Sequence, residues 1–256
     1  MAVGPAAVSI GITGRTEPDV VRALAARVEA LGFRALWVND IPGGDSLAAL
    51  RAAAEVTASL HLGTGVIPLD RRPAASLDLA GIPAARTTLG IGSGAESRPV
   101  GLVRDGIATL RTRTAAAIVV GALGPRMRRL AATDADGVLL NWLTPEAARD
   151  AVADLRRDAG DRPARGILYV RTIADGAARP ALEQEAARYE AVPAYAANFA
   201  RLGVRALDAT VTDASRLADY RDAADELVLR AITPSGSLTE LERFVEATAG
   251  WIASYD

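Results

Sequence analysis

A chain of 256 residues, half of them hydrophobic but only 4% aromatic, must build a sizeable core from Ala, Val, Leu and Ile rather than from rings. A net charge of -2 without a basic tract argues against nucleic acid as a partner. With no cysteine and one histidine (His61), disulfides, thiolate nucleophiles, zinc–thiolate sites and His-rich metal centres are excluded, and a Ser-His-Asp triad would hang on one side chain.

No apolar run reaches membrane-spanning length, so no membrane partner is expected. The stretch MAVGPAAVSIGITGRTEPD has no basic segment followed by a long apolar core, so no signal peptide is expected and the expected location is cytoplasmic. The Ala- and Arg-rich, lysine-free composition suggests a bacterial genome of high GC content.

Apolar runs and helical patterns alternate along the whole chain. Residues 7–12 form the first predicted strand, followed by a helix over 18–31 that Gly32 stops. The second strand, 34–38, ends in Asn39 and Asp40; Asp45 or Ser46 then caps a helix over 45–58. The third strand, 60–67, leads into Arg71 and Arg72. Residues 73–86 are short and carry Pro73, Gly81 and Pro83, so a truncated or irregular third helix is expected. The fourth strand, 87–91, opens into Gly92, Ser93 and Gly94, and a helix follows over 100–113.

The central unit spans 117–142. An apolar, β-branched run meets Gly121, a turn carries Gly124 and Pro125, and a helix to Ala135 leads to a sixth strand ending at Asn141 and Trp142. Proline suits a first helical position, and Gly124 permits the sharp turn before it. Arg126, Arg128 and Arg129 crowd a helix start, where the dipole disfavours cations, unless an anion rests on the free N–H groups. A phosphate-sized anion site and three solvated arginines are both consistent with this stretch alone.

A helix over 145–159 follows, with Thr144 as N-cap. Then come a strand over 166–173, a long helix over 181–202 with a break at Pro193, an irregular region over 203–224, a last strand over 227–232 and a closing helix over 237–251. Eight strands in strict βα alternation predict an α/β protein, a (β/α)8 TIM barrel forming one domain over residues 1–256; an open doubly wound sheet is the rival. The site belongs at the C-terminal strand ends. Those ends are rich in glycine and small polar residues, and Asp40 is the one acid among them. A hydrolytic pair of carboxylates is therefore poorly supported, and a cofactor that carries its own reactivity fits better.

Several stretches resemble the bacterial luciferase-like monooxygenase family in its flavin- and deazaflavin-dependent oxidoreductase branch. They are Leu31-Gly32-Phe33 with Leu36-Trp37-Val38 and Asp40; Leu62 to Val66; Leu89 to Gly94; Gly121 with Leu123 to Met127; and Ala135 to Val138. The resemblance covers residues 7–160 best and implies a barrel that binds FMN or the deazaflavin coenzyme F-420. It implies that Thr64, Gly65 and Val66 support the ring through a bulge with a non-proline cis peptide, and that Gly92, Ser93 and Gly94 lie beside it. The turn Gly121, Ala122, Leu123, Gly124, Pro125, Arg126 and Met127 would take the phosphate, with Asn141 near it and Arg171 and Arg230 as further basic candidates. The plainer reading of Arg171 and Arg230 is a salt bridge inside the barrel.

The chain also departs from the family pattern. Ile41 follows Asp40 where many relatives carry His, and Ala95 follows Gly94 where some deazaflavin dehydrogenases carry Glu. The third helix and the usual insertions are shortened, which makes this a compact variant with an open mouth. Asp40 is left as the catalytic candidate, and no metal is expected. The expected function is hydride transfer between F-420 or FMN and a small-molecule substrate. The alternatives are an FMN-dependent monooxygenase and a degenerate barrel that binds cofactor without turnover. The resemblance leaves a homodimer open.

Overall fold

The computed structural model describes residues 6–254, so the first five residues of the N-terminal stretch read above lie outside the described residues. Alternating apolar segments form strands β1 (Ala7–Thr13), β2 (Ala35–Asn39), β3 (His61–Pro68), β4 (Thr87–Gly92), β5 (Ala117–Gly121), β6 (Gly137–Asn141), β7 (Arg165–Thr172), β8 (Thr210–Val211) and β9 (Glu226–Ala231). The helices are α1 (Pro18–Ala30), α2 (Ser46–Val56), α3 (Pro99–Arg111), α4 (Pro125–Asp134), α5 (Pro145–Ala159), α6 (Arg179–Glu190), α7 (Pro193–Leu202), α8 (Ala214–Asp219) and α9 (Leu238–Ala253).

All the strand pairings are parallel. They run from β1 through β2 to β7, then to β9, which returns to β1, while the two-residue β8 hangs on the end of β7. The closed eight-stranded barrel with helices outside is the (β/α)8 TIM barrel expected from the alternation. No helix among the described residues is long and apolar enough to cross a membrane.

Local chemistry explains most boundaries. Gly32 takes a left-handed φ of 78° just beyond α1. Asp45 caps α2 by accepting from the backbone N–H groups of Leu47 and Ala48, and Thr144 caps α5 through Ala147. The expected third helix is not α-helical: Ala74–Ser76 and Ala84–Arg86 form two short 3-10 turns, one just after Pro73 and one just after Pro83. The long helix expected over 181–202 divides into α6 and α7 because Pro193 lacks the N–H that would continue the ladder.

Two of the apolar clusters among the described residues build the body of the barrel. The larger lies between strands and helices and is built mainly from Leu, Val, Ile and Ala. The smaller fills the barrel with Ala35, Trp37, Val119, Leu139, Ile167, Tyr169 and Val228. Trp37 and Tyr169 meet edge to face, with centroids 6.1 Å apart, and glycine makes room for both rings. A Cβ on Gly63 would lie 2.4 Å from the Trp37 ring, and one on Gly65 2.4 Å from the Tyr169 hydroxyl.

At the N-terminal end, Glu226 plugs the barrel. Its carboxylate accepts from Ser9 Oγ at 2.6 Å and Trp37 Nε1 at 2.7 Å, pairs with Arg165, and has Arg34 at 3.8 Å. His61 starts β3 at this same end, where partial burial and the charges of Arg34 and Arg165 lower its pKa. Gly63→Ala is expected to lower unfolding stability by about 1–3 kcal/mol through overpacking against Trp37, measured by urea denaturation.

Candidate active site at the barrel mouth

Closure of the barrel brings the C-terminal strand ends around one open cleft of about 880 Å³. Its floor is set by the third strand. The β3–β4 register shifts between Thr64 and Ile67, and the Gly65–Val66 peptide is cis, as the resemblance implied. Val66 then spreads over glycine: a Cβ on Gly92 would lie 2.8 Å from one Val66 methyl, and one on Gly121 3.0 Å from the other. Small residues on β4 and β5 therefore leave an apolar platform facing the cleft.

Asn39 ties this floor to the rest of the barrel. Its Nδ2 donates to the Gly65 carbonyl, and its Oδ1 accepts from Arg230 Nε at 3.0 Å, which links β2, β3 and β9. Beside it, Asp40 is buried with two differently treated oxygens. Oδ2 accepts from Ser46 Oγ at 2.7 Å and pairs with Arg72. Oδ1 is sealed from solvent and meets no hydrogen-bond partner, with Arg71 3.9 Å away. An unpaired buried carboxylate oxygen is costly, and a ligand's donor would relieve it.

The walls have an electrostatic character that residue types alone conceal. The cleft is lined by Arg98 to Gly101 from the start of α3, Gly124 to Met127 from the start of α4, and Val192, Ala194 and Tyr195 from the start of α7. Each of these helices has proline at its first position, and none has a side-chain cap. Their early N–H groups carry partial positive charge toward the cleft. Of the other helices, α2, α5, α8 and α9 are capped by Asp45, Thr144, Asp213 and Ser237, while α1 and α6 also start uncapped with a proline, but those starts do not line the cleft. Arg71, Arg98 and Arg126 add full charges, and Asp40 is the one acid lining the cleft among the described residues.

Most residues singled out in the sequence lie on this cleft: Asp40, Gly65, Val66, Gly92 to Gly94, Gly121 to Met127 and Asn141. Thr64, Arg171 and Arg230 do not line it. Thr64 is buried and donates to the Gly90 carbonyl at 2.9 Å. Burial pushes the Arg230 guanidinium below its ordinary pKa. Arg171 donates to Glu185 at 2.9 Å and to Asn141 Oδ1, and stacks between Trp142 at 4.3 Å and Tyr189 at 4.8 Å. Burial would raise the Glu185 pKa, but Arg171 and Arg230 outweigh it and hold the carboxyl below its ordinary value. The plainer alternative for Arg171, a buried ion pair, is what the geometry contains. Asn141 meanwhile donates to Tyr195 Oη at 3.3 Å, a phenol that burial pushes up to about 12.

Sequence reasoning missed the starts of α3 and α7, together with Tyr189 and Tyr195. A signal existed: Arg98-Pro99 and Val192-Pro193 repeat the proline-led, uncapped helix start noticed at Gly124-Pro125.

A family model described as luciferase-like monooxygenase matches residues 96–251. The chain belongs to the luciferase-like monooxygenase family. Among solved structures it is similar to the coenzyme F420 dependent tetrahydromethanopterin reductase from Methanopyrus kandleri, with a TM-score of 0.71 and 16% identity over 98% of this chain and 99% of that one. Monooxygenase RslO1 from Streptomyces bottropensis gives a TM-score of 0.68 and 18% identity over 96% and 99%. The oxygenating constituent of 3,6-diketocamphane monooxygenase from Pseudomonas putida, a type II Baeyer-Villiger monooxygenase in complex with FMN, gives 0.67 and 13% over 99% of both chains.

Removing one partner of the Arg171–Glu185 pair strands a buried charge. Arg171→Met is expected to cost about 3–5 kcal/mol in chemical denaturation, and adding Glu185→Gln is expected to recover much of the loss.

Proposed function

We propose that this protein is an oxidoreductase that binds coenzyme F-420 or FMN in the barrel-mouth cleft and moves a hydride between that cofactor and a small organic substrate. The observation that carries this reading is the convergence of three uncapped, proline-led helix starts and three arginines on a cleft with one carboxylate. Such a cleft suits a ligand with an anionic group, as both cofactors are. The glycine-backed Val66 platform suits an apolar ring face. The relatives named above as F420-dependent and as bound to FMN support the same pair.

In this reading the free N–H groups of Arg126 and Met127, with the Arg126 guanidinium, hold the phosphate. Val66, Gly92 and Gly121 support the ring. The bound cofactor supplies the two-electron chemistry. Asp40 is the group placed to hold the accompanying proton: Ser46 and Arg72 fix one oxygen, and the other accepts no protein hydrogen bond, with Arg71 3.9 Å away. Ile41 lines the cleft beside it, and Ala95 is held away by donating its N–H to Asp70 at 2.9 Å, so neither position offers a second acid or base. F-420 is preferred over FMN because the Leu123 to Met127 turn and the glycine-rich mouth resemble the deazaflavin branch.

Fluorescence titration of the purified protein with each cofactor tests the reading. Binding of F-420 or FMN, weakened about tenfold or more by Arg126→Ala, is the expected result. Unchanged affinity in that variant would remove the phosphate assignment, and binding of neither cofactor would remove the function. Where a substrate is turned over, Asp40→Asn is expected to lower kcat about 100-fold or more while cofactor affinity holds, read by steady-state kinetics. Cofactor binding without turnover of any substrate would favour a non-catalytic carrier, which the Ile41 and Ala95 positions motivate. Oxygen uptake with reduced FMN would favour monooxygenation.

A further inference from the structure

Tyr195, in the first turn of α7, lines the cleft on the side away from Asp40. The two sides follow from the order of strands round the barrel. Asp40 follows β2, while the Tyr195 hydroxyl is bonded to Asn141 at the end of β6, and β2 and β6 stand across the ring from one another.

The hydroxyl has a fixed polarity that can be read along a chain of side chains. Glu185 is the first link; Arg171 and Arg230 keep it ionised, so it can only accept. Arg171 carries donors alone. It gives one N–H to Glu185 Oε1 at 2.9 Å and another to Asn141 Oδ1. That second contact settles which way the Asn141 amide faces, because the flipped amide would set its own N–H groups against those of Arg171. Asn141 Nδ2 therefore faces Tyr195 and donates to its Oη at 3.3 Å. The phenol oxygen is the acceptor in that bond. Its own hydrogen meets no acceptor among the described residues and is left to the cleft that Tyr195 lines.

Packing holds the phenol in this position. Its ring stands edge to face against Tyr189 with centroids 4.7 Å apart, and Tyr189 packs on Trp142 at 5.1 Å. Burial pushes the hydroxyl up to about 12, so at neutral pH it keeps the hydrogen it has to give.

Charge and place indicate what accepts it. Arg126 and the start of α4 offer positive charge to an anionic group, and the Val66, Gly92 and Gly121 platform belongs to β3, β4 and β5. Beyond that platform, over β6, Tyr195 adds an uncharged donor, which suits a neutral oxygen. We propose that Tyr195 is a specificity-determining residue whose hydroxyl donates to a carbonyl oxygen of the substrate, with Glu185, Arg171 and Asn141 holding it in that direction. The assignment to substrate rests on the cofactor reading above. The substrate class that follows is a neutral carbonyl compound, since an analogue without the oxygen leaves the donor unpaired.

The test uses the full chain as wild type, Tyr195→Phe and Asn141→Asp, each with and without F-420 or FMN. The probes are cyclohexanone, isotope-labelled at its carbonyl carbon, and methylenecyclohexane, which has a similar shape without the oxygen. Binding is followed by ligand-observed NMR, and cofactor affinity by fluorescence. Wild type is expected to prefer the ketone by about fivefold or more and to move its carbonyl resonance downfield, as donation to that oxygen does. Tyr195→Phe is expected to lose both the preference and the shift. Asn141→Asp is expected to lose them too, although the hydroxyl is still present, because a carboxylate accepts the phenol hydrogen and turns it out of the cleft. A tyrosine needed only for packing would not respond to that reversal. Equal binding of the two probes by wild type, or an unchanged preference in either variant, would overturn the proposal. So would a loss of cofactor affinity in Tyr195→Phe with the ketone shift intact, since the hydroxyl would then serve the cofactor. If wild type binds neither cofactor yet prefers the ketone through Tyr195, the donor role stands and the cofactor reading falls.

Discussion

The pairing of β1 with both β2 and β9 is the contact on which the rest depends. An open sheet would spread Asp40, Gly92, Gly121 and Arg230 along an edge many strands wide. Closure instead bends that edge into a ring, so residues far apart in sequence share one mouth. It also forces a packed interior, and a chain so poor in rings commits Trp37 and Tyr169 to it. Glycines at positions 11, 63 and 65 then become necessary neighbours rather than tolerated gaps.

The two ends of the barrel treat charge differently. At the base, Glu226 is fully engaged by a hydroxyl, an indole N–H and arginine, as a structural charge must be when water is removed. At the mouth, partnering is incomplete in specific places. One oxygen of Asp40, the early N–H groups of three helices and the Arg128 Nε all lack acceptors or donors. Incomplete satisfaction concentrated at one end distinguishes a binding surface from a core.

Much of this organisation was legible in the sequence because hydrophobic periodicity reports burial directly. The eight barrel strands, the glycine stop at Gly32, the Asp45 and Thr144 caps and the helix break at Pro193 all follow from local rules. The strand-end glycines and the proline-led turn marked the mouth. What was not legible depends on distant partners. Arg171 looked like a candidate for an anion because nothing local shows that Glu185, Trp142 and Tyr189 enclose it. The α7 wall was hidden because the break at Pro193 marks where a helix restarts but not that the restart faces the cleft. The third unit lost its helix altogether, since Pro73, Gly81 and Pro83 leave no run long enough to form one.

The chain contains no lysine, so every basic side chain other than the lone histidine is a guanidinium. His61 stands at the opposite end of the barrel from the cleft. The positive lip formed by Arg71, Arg98 and Arg126 is therefore built of planar guanidiniums alone, each a fork of N–H donors rather than a compact point charge. It also offers no amine for acylation, imine formation or reductive alkylation.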